Sequence, residues 1–138
     1  MLTNTTKVTV RYGETDQMGV VYHANYVVWC EIGRTKLIED LGFKYADMEE
    51  RGVVSPVTNI NLNYLYPAKY GEDVTVNTWI EQYNGLRVTY GYRIENSEGE
   101  LCVEGTSEHV CVDARTFRPV AIKKKFPDWH EAYEKNKK

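Results

Sequence analysis

The stretch that decides the fold reads ANYVVWCEIGRTKLIEDL and covers residues 24–41. Its apolar side chains gather mostly on one side at helical spacing, and Gly42 follows as a C-terminal stop signal. The first half, Tyr26 to Cys30, is apolar almost all round, which suits a helix wrapped by a sheet better than an exposed one. The sequence therefore predicts one long central helix from about Ala24 to about Leu41.

The segments outside this helix mostly alternate apolar and polar residues, as half-buried strands do. A short helical turn is predicted around Tyr45 to Arg51, and a terminal helix from Pro127 to Asn136. Asn84-Gly85 and the segment from Asn96 to Gly99 predict hairpin turns. The predicted strands are residues 7–12, ending at Gly13, and residues 59–66, 74–80, 86–94 and 100–112. This order predicts an α+β fold with a largely antiparallel sheet curled around the long helix.

Length and composition narrow the classes of protein to consider. A chain of 138 residues suits a single domain over residues 1–138. A net charge of −3 gives no general attraction to nucleic acid. No stretch has the length and apolar character of a secretory signal or a membrane span, so we expect a cytoplasmic protein. Cys30, Cys102 and Cys111 form no C-x-x-C pair, and we expect reduced packing cysteines, the last two on opposite faces of one strand.

The segment between the first strand and the long helix, residues 12–26, reads YGETDQMGVVYHANY. It resembles the hotdog-fold thioesterases of the 4-hydroxybenzoyl-CoA thioesterase type, and most closely their Tol-Pal-associated short-chain acyl-CoA thioesterase subgroup. The residues that carry the resemblance are Thr15-Asp16, Met18 to His23 and Asn25-Tyr26, and it continues through Glu31, Arg34, Pro67-Ala68 and Val110 to Asp113.

This resemblance implies an antiparallel sheet of five or six strands around the helix, and dimers whose sheets join edge to edge. It further implies a homodimer or a homotetramer, with each active site completed by a second copy of the chain. The implied substrate is an acyl-CoA, with acyl carrier protein as the alternative thiol carrier. Water is the only co-substrate, and no cofactor or metal is expected.

The resemblance also assigns roles within the motif. It makes Asp16 the catalytic carboxylate, either as nucleophile or as general base toward water. The backbone amide at His23 holds the thioester carbonyl oxygen, as a helix N-terminus can. The His23 side chain and the Tyr12 phenol take catalytic or positioning roles. The implied substrate-binding residues are Gly19, Val20, Tyr22, Asn25 and Tyr26.

Each of these residues also has a purely structural interpretation. Asp16 alone would more often cap a turn, and His23 would more often be a polar residue at a helix start. Tyr12 shares its predicted strand face with Val8 and Val10, so a core or interface phenol competes evenly with a catalytic one. The three histidines show no metal-ligand spacing.

Charged residues outside the motif leave two further alternatives open. Glu31 and Arg34, three apart on the helix, suggest an intrahelical or dimer-interface ion pair, with a second catalytic acid at Glu31 as the minority hypothesis. Lys123 to Lys125, with Arg115 and Arg118 nearby, either meet the phosphates of coenzyme A or form a solvated face.

Two other functions compete with hydrolysis. One is a hotdog hydratase or dehydratase, whose relatives typically pair a histidine with a carboxylate in a motif that this sequence lacks. The other is a non-catalytic oligomer that binds acyl thioesters without turning them over. No G-x-S-x-G segment supports serine chemistry.

Overall fold

A computed structural model describes all residues from Met1 to Lys138 and contains four helices and seven strands. The helices are α1 (Ala24–Asp40), α2 (Tyr45–Glu50), α3 (Ile122–Lys125) and α4 (Pro127–Asn136). The strands are β1 (Thr3–Thr9), β2 (Val53–Val54), β3 (Val57–Tyr64), β4 (Asp73–Tyr83), β5 (Arg87–Glu95), β6 (Leu101–Val110) and β7 (Val112–Asp113). The α+β class, the long helix and the terminal helix are therefore confirmed.

The main sheet is antiparallel, with strand order β1-β4-β5-β6-β3. Both predicted hairpins are present, and Gly85 and Gly99 take the positive φ angles that tight turns favour. β1 and β3 are the two edges, and most side chains of β3 are exposed. β2 and β7 form a separate two-stranded ribbon. One long, mostly exposed edge therefore remains without a partner strand in the chain.

Helix α1 packs against β1 and β4 and fully buries Trp29 and Leu37. The approach is close at Gly33, where a Cβ atom would lie 2.3 Å from Oγ1 of Thr78 and 2.8 Å from Cγ1 of Val76. Only glycine leaves room for the sheet at that point. This close packing confirms the prediction of a long helix wrapped by the sheet.

The first strand prediction was wrong at its C-terminal end. β1 ends at Thr9, and a 3-10 turn spans Tyr12–Glu14. The carboxylate of Glu14 accepts a hydrogen bond from the Arg11 amide at 2.8 Å, and the Glu14 amide donates to the Arg11 carbonyl at 3.0 Å. These two bonds close a tight turn, so the alternating pattern does not continue as a strand through Tyr12.

The strand predicted over residues 100–112 is interrupted between its two cysteines. β6 ends at Val110, and its pairing with β5 is irregular at Cys102, because Ile94 pairs with Val103 and Glu95 with Leu101. Cys102 and Cys111 consequently both pack in the core, so the predicted opposite faces are wrong. All three cysteines are free and buried, as predicted. None of the helices has the length and apolar character needed to cross a bilayer.

Candidate active site

Asp16 lies in a turn between the 3-10 turn and α1. Its amide donates a hydrogen bond to the Val20 carbonyl at 2.9 Å, and the Gly19 amide donates to the Asp16 carbonyl at 3.0 Å. Gly19 takes a φ of 81°, which a side chain would disfavour. Oδ1 of Asp16 accepts the Met18 amide at 2.8 Å, while Oδ2 accepts no hydrogen bond from the chain. Asp16 therefore caps its turn and still offers one carboxylate oxygen to a ligand.

The start of α1 presents backbone donors beside this turn. Thr15 forms an antiparallel bridge with Val21, and the Tyr22 amide donates to the Glu14 carbonyl at 2.9 Å. The amides of His23 and Ala24 donate to no acceptor in the chain. Such unpaired amides carry the positive end of the helix dipole. The loop thus holds a carboxylate and two free N–H groups on one short segment.

Glu14, which sequence reasoning missed, anchors this segment to α1. Its side chain is buried, and its carboxylate accepts the Trp29 indole N–H at 3.0 Å as well as the Arg11 amide. Burial opposes ionisation, but these hydrogen bonds and the nearby Arg11 guanidinium hold the pKa of Glu14 below its ordinary value. The Glu14 carbonyl also accepts Nδ2 of Asn25 at 2.8 Å. The sequence carries no signal that this particular glutamate is buried.

The predicted substrate-binding residues divide into two groups. Tyr22 is exposed, Val20 is half-buried, and the Tyr22 ring lies 4.6 Å from the His23 ring, centroid to centroid. Asn25 and Tyr26 instead support the loop, because Asn25 bonds to Glu14 and the buried Tyr26 hydroxyl accepts the Ala68 amide at 3.1 Å. Tyr22, Val20 and the exposed Gly19 are the members of the set that can face a ligand.

Tyr12 and His23 both lie at the surface. Tyr12 is 78% exposed and forms an edge-on aromatic pair with Tyr70, 5.6 Å between centroids. The hypothesis of a core phenol at Tyr12 is therefore wrong, and the catalytic and interface hypotheses remain. The His23 ring is also exposed, and the His23 carbonyl accepts the Tyr64 hydroxyl at 3.1 Å. That bond links the helix start to the end of β3.

A second group of polar side chains lies beneath the C-terminal half of α1. Nη1 of Arg34 donates to the Tyr92 hydroxyl at 3.0 Å, and that oxygen lies 2.6 Å from Oγ of Ser107. Oγ of Ser107 in turn lies 2.8 Å from Nε2 of His109. Arg34 forms no salt bridge within the chain, so the predicted intrahelical ion pair with Glu31 is wrong. Arg34 donates its hydrogen bond to the Tyr92 hydroxyl and not to the expected carboxylate of Glu31.

The basic run ends helix α3. Lys123 and Lys124 are exposed, and Arg51 donates to the Lys125 carbonyl at 2.7 Å while its guanidinium lies 4.3 Å from the centre of the Phe126 ring. This arrangement fixes the backbone of the run and leaves two ammonium groups in solvent. Contact between these lysines and coenzyme A phosphates stays a prediction.

Comparison with known proteins places the chain in a family. The sequence model that describes the thioesterase-like superfamily matches residues 10–130 of this chain. A Bacillus subtilis protein named "Putative acyl-CoA thioesterase YneP" is 60% identical over 132 residues, 96% of each chain. The Escherichia coli acyl-CoA thioester hydrolase YbgC is 32% identical over 117 residues, 85% of this chain and 87% of that one.

Solved structures agree with this assignment. The structure of a DHNA-CoA thioesterase from Staphylococcus aureus is 49% identical and superposes with a TM-score of 0.95, covering 98% of this chain and 91% of the other. The hotdog fold that the motif implied is thereby confirmed. The chain belongs to the thioesterase-like superfamily.

Proposed function

We propose that the protein hydrolyses acyl-CoA thioesters, with Asp16 as the catalytic carboxylate. The observation that carries the proposal is that one short segment, from the Asp16 turn to the start of α1, holds a carboxylate oxygen of Asp16 and the amides of His23 and Ala24, none of which has a hydrogen-bond partner in the chain. The names of the YneP and YbgC relatives support the same activity.

The chemistry needs little more than these groups. The thioester carbonyl oxygen accepts the His23 and Ala24 amides, which stabilise the negative charge that develops as the carbonyl carbon is attacked. Asp16 either attacks that carbon itself or takes a proton from the attacking water. The carbon–sulfur bond then breaks, and the thiolate leaves readily because its parent thiol has a pKa of roughly 8.5. If Asp16 attacks, the anhydride formed between Asp16 and the acyl group is then hydrolysed by water, which restores the Asp16 carboxylate. On either route the products are a carboxylic acid and coenzyme A.

Neighbouring side chains orient the reactants in this proposal. Tyr22 and Val20, with the backbone of Gly19, border the acyl thioester, while His23 and Tyr12 position the substrate or the water. Asn25 and Tyr26 do not contact the substrate in this proposal; their hydrogen bonds to Glu14 and Ala68 hold the catalytic loop in position. Water is the only co-substrate, and no cofactor is invoked. Acyl carrier protein remains the alternative thiol carrier.

We further propose that residues 1–138 act as one domain in a cytoplasmic homodimer, or in a homotetramer of such dimers. The exposed edge of β3 carries Val57, Ile60 and Tyr64, and Val28 of α1 is also exposed. An apolar, unpartnered edge strand pairs readily with a second copy. Pairing β3 to β3 would extend the sheet across both subunits and cover these side chains.

Release of free thiol, followed with a chromogenic disulfide, tests the function. The substrates are short aliphatic, long-chain and aromatic acyl-CoAs, including an aromatic group because a relative is named as a DHNA-CoA thioesterase. Turnover of at least one acyl-CoA is expected. Binding of acyl-CoA with no thiol release from any of them would instead establish a non-catalytic binding protein.

A further inference from the structure

The hydroxyl of Tyr64 links the edge strand β3 to the first peptide group of α1. Tyr64 is the last residue of β3, and its hydroxyl donates to the His23 carbonyl, with 3.1 Å between the two oxygens. Partial burial of the phenol, followed by the proximity of Cys30, raises the pKa of Tyr64 above its ordinary value of 10.0. The hydroxyl is therefore protonated and able to donate at neutral pH.

The His23 carbonyl and the Ala24 amide belong to the same peptide group. No peptide bond in the chain is cis, so this carbonyl and this amide point in opposite directions. The Ala24 amide is one of the two N–H groups at the helix start that have no acceptor in the chain. The Tyr64 hydroxyl thus binds one side of the peptide group, while the opposite side stays open for a thioester carbonyl oxygen.

A hydrogen bond to the carbonyl of a peptide group changes the donor strength of its amide. The bond draws electron density towards the oxygen and leaves the N–H more positive, and linked hydrogen bonds strengthen one another by about 10 to 30% each. It also restricts rotation of the peptide plane, which fixes the direction of the N–H. The Tyr26 amide contacts the same carbonyl at a longer distance, 3.4 Å. Tyr64 is consequently the closer of these two donors.

The phenol of Tyr64 is held in place from two sides. In the sheet, Tyr64 pairs with Val103 of β6. On the helix side, its ring packs edge-on against the buried Tyr26 ring, with 5.6 Å between centroids, and against the His23 ring at 6.2 Å. A side chain that is fixed by its own packing can fix the orientation of the group that it contacts.

We propose that Tyr64 is a positioning residue for the hydrolysis, whose hydroxyl orients the His23–Ala24 peptide group and strengthens the Ala24 amide as a donor to the thioester carbonyl oxygen. The inference rests on the proposed function, because this amide affects the rate only if a carbonyl oxygen gains negative charge beside it. Tyr64 does not contact the substrate and acts through the peptide group. A residue of the sheet edge, outside the motif of residues 12–26, thereby contributes to the rate.

The first test is kinetic. Tyr64→Phe removes the hydroxyl and keeps the ring that packs against Tyr26 and His23. With the acyl-CoA that wild type hydrolyses fastest, kcat is expected to fall by about 3- to 20-fold, because the oxyanion donor is weakened and not removed. KM should stay as in wild type, since the full negative charge on the oxygen develops only in the transition state. Tyr66→Phe removes a similarly exposed hydroxyl two residues further along the chain and should change neither constant.

Infrared spectroscopy tests the polarisation of the carbonyl group without any turnover. The probe is a ketone analogue of an acyl-CoA, in which a methylene group replaces the sulfur and the carbonyl carbon is isotope-labelled. Donation by the Ala24 amide should lower the stretching frequency of the bound ketone carbonyl relative to the free analogue. The shift should be smaller in Tyr64→Phe and as in wild type in Tyr66→Phe. A hydroxyl that served stability alone would leave this band in place.

Replacement of Tyr64 by 3-fluorotyrosine tests the same effect in the opposite direction. The fluorinated phenol is more acidic and hence a better donor, as long as the pH of the assay keeps it protonated. The ketone band should then move to a lower frequency than in wild type, and kcat should not fall. This variant keeps both the ring and the hydroxyl, so it tests the proposal even if Tyr64→Phe fails to fold.

The outcomes separate this inference from the proposed function. A wild-type kcat together with a wild-type ketone band in Tyr64→Phe would overturn the role of Tyr64. A fall in kcat that is matched by a rise in KM would overturn it as well, because the hydroxyl would then contribute to substrate binding. Release of thiol by wild type from no acyl-CoA would instead overturn the proposed hydrolysis, and the ketone band would still show whether Tyr64 polarises the bound carbonyl.

Discussion

Glu14 holds the catalytic loop through several hydrogen bonds. Loss of its carboxylate should therefore lower the free energy of unfolding and, through the loop, the rate of hydrolysis. Glu14→Gln places an amide where two N–H groups need acceptors, so we expect unfolding to become easier by about 1 to 3 kcal/mol. Because Asp16 is retained, kcat/KM should fall by about tenfold through displacement of the loop.

Denaturant unfolding and steady-state kinetics measure these two effects. Glu131→Gln, at an exposed position of α4, is the matched control and should change neither. Wild-type stability in the Glu14 variant would show that the buried network does not hold the loop.

His109 gives the protein a defined sensitivity to acid. Burial, aided by the Arg34 guanidinium, lowers the pKa of His109 from 6.5 to about 4. Between these values the unfolded chain binds a proton that the folded chain does not, so acid favours unfolding. The contribution of His109 to stability is complete above the higher value and is lost progressively as the pH falls to the lower one.

His109→Gln should therefore flatten part of the stability profile between pH 6.5 and about 4. The wild-type loss attributable to this residue is about 3 kcal/mol. Denaturant midpoints at a series of pH values measure it. Parallel profiles for wild type and His109→Gln would refute the assignment.

At the scale of elements, Gly33 sets how closely α1 approaches β4. Alanine is the better helix former by about 1 kcal/mol, so helix propensity alone predicts that Gly33→Ala stabilises the protein. The contacts of the added methyl group with Thr78 and Val76 predict the reverse, a net loss of about 1 to 3 kcal/mol. Thermal unfolding decides between them, with Lys36→Ala on the exposed side of α1 as the control.

Local patterns were sufficient to predict α1, α4 and both hairpins, because helical spacing and turn residues act over a few neighbours. Tyr12 was misplaced because a buried carboxylate two residues later redirects the backbone, and alternation alone does not reveal it. The Arg34 network joins residues up to 75 positions apart, from Arg34 through Tyr92 to His109. Only the packed sheet brings these side chains together.

At the scale of the whole molecule, the proposed dimer depends on the β3 edge. Ile60→Lys places a charge on that edge and should shift the protein to monomers, because natural edge strands avoid pairing in this way. Loss of turnover should accompany dissociation if the partner completes each site. Sedimentation and thiol release measure both properties.

Thr5→Lys makes the same kind of change on β1, the opposite edge of the sheet, and serves as the control. It should leave both assembly and turnover as in wild type. A stable wild-type monomer at micromolar concentration, or a fully active Ile60→Lys monomer, would contradict the dimeric site.

The measurement that tests the central claim most directly is turnover by Asp16→Asn together with its affinity for a non-hydrolysable thioether analogue of the substrate. The exposed Asp128→Asn on α4 is the matched control. We predict that kcat/KM falls on the order of a thousandfold in Asp16→Asn while the analogue binds as it does to wild type. Turnover that survives the substitution, or that falls only in proportion to lost binding, would contradict a catalytic role for Asp16.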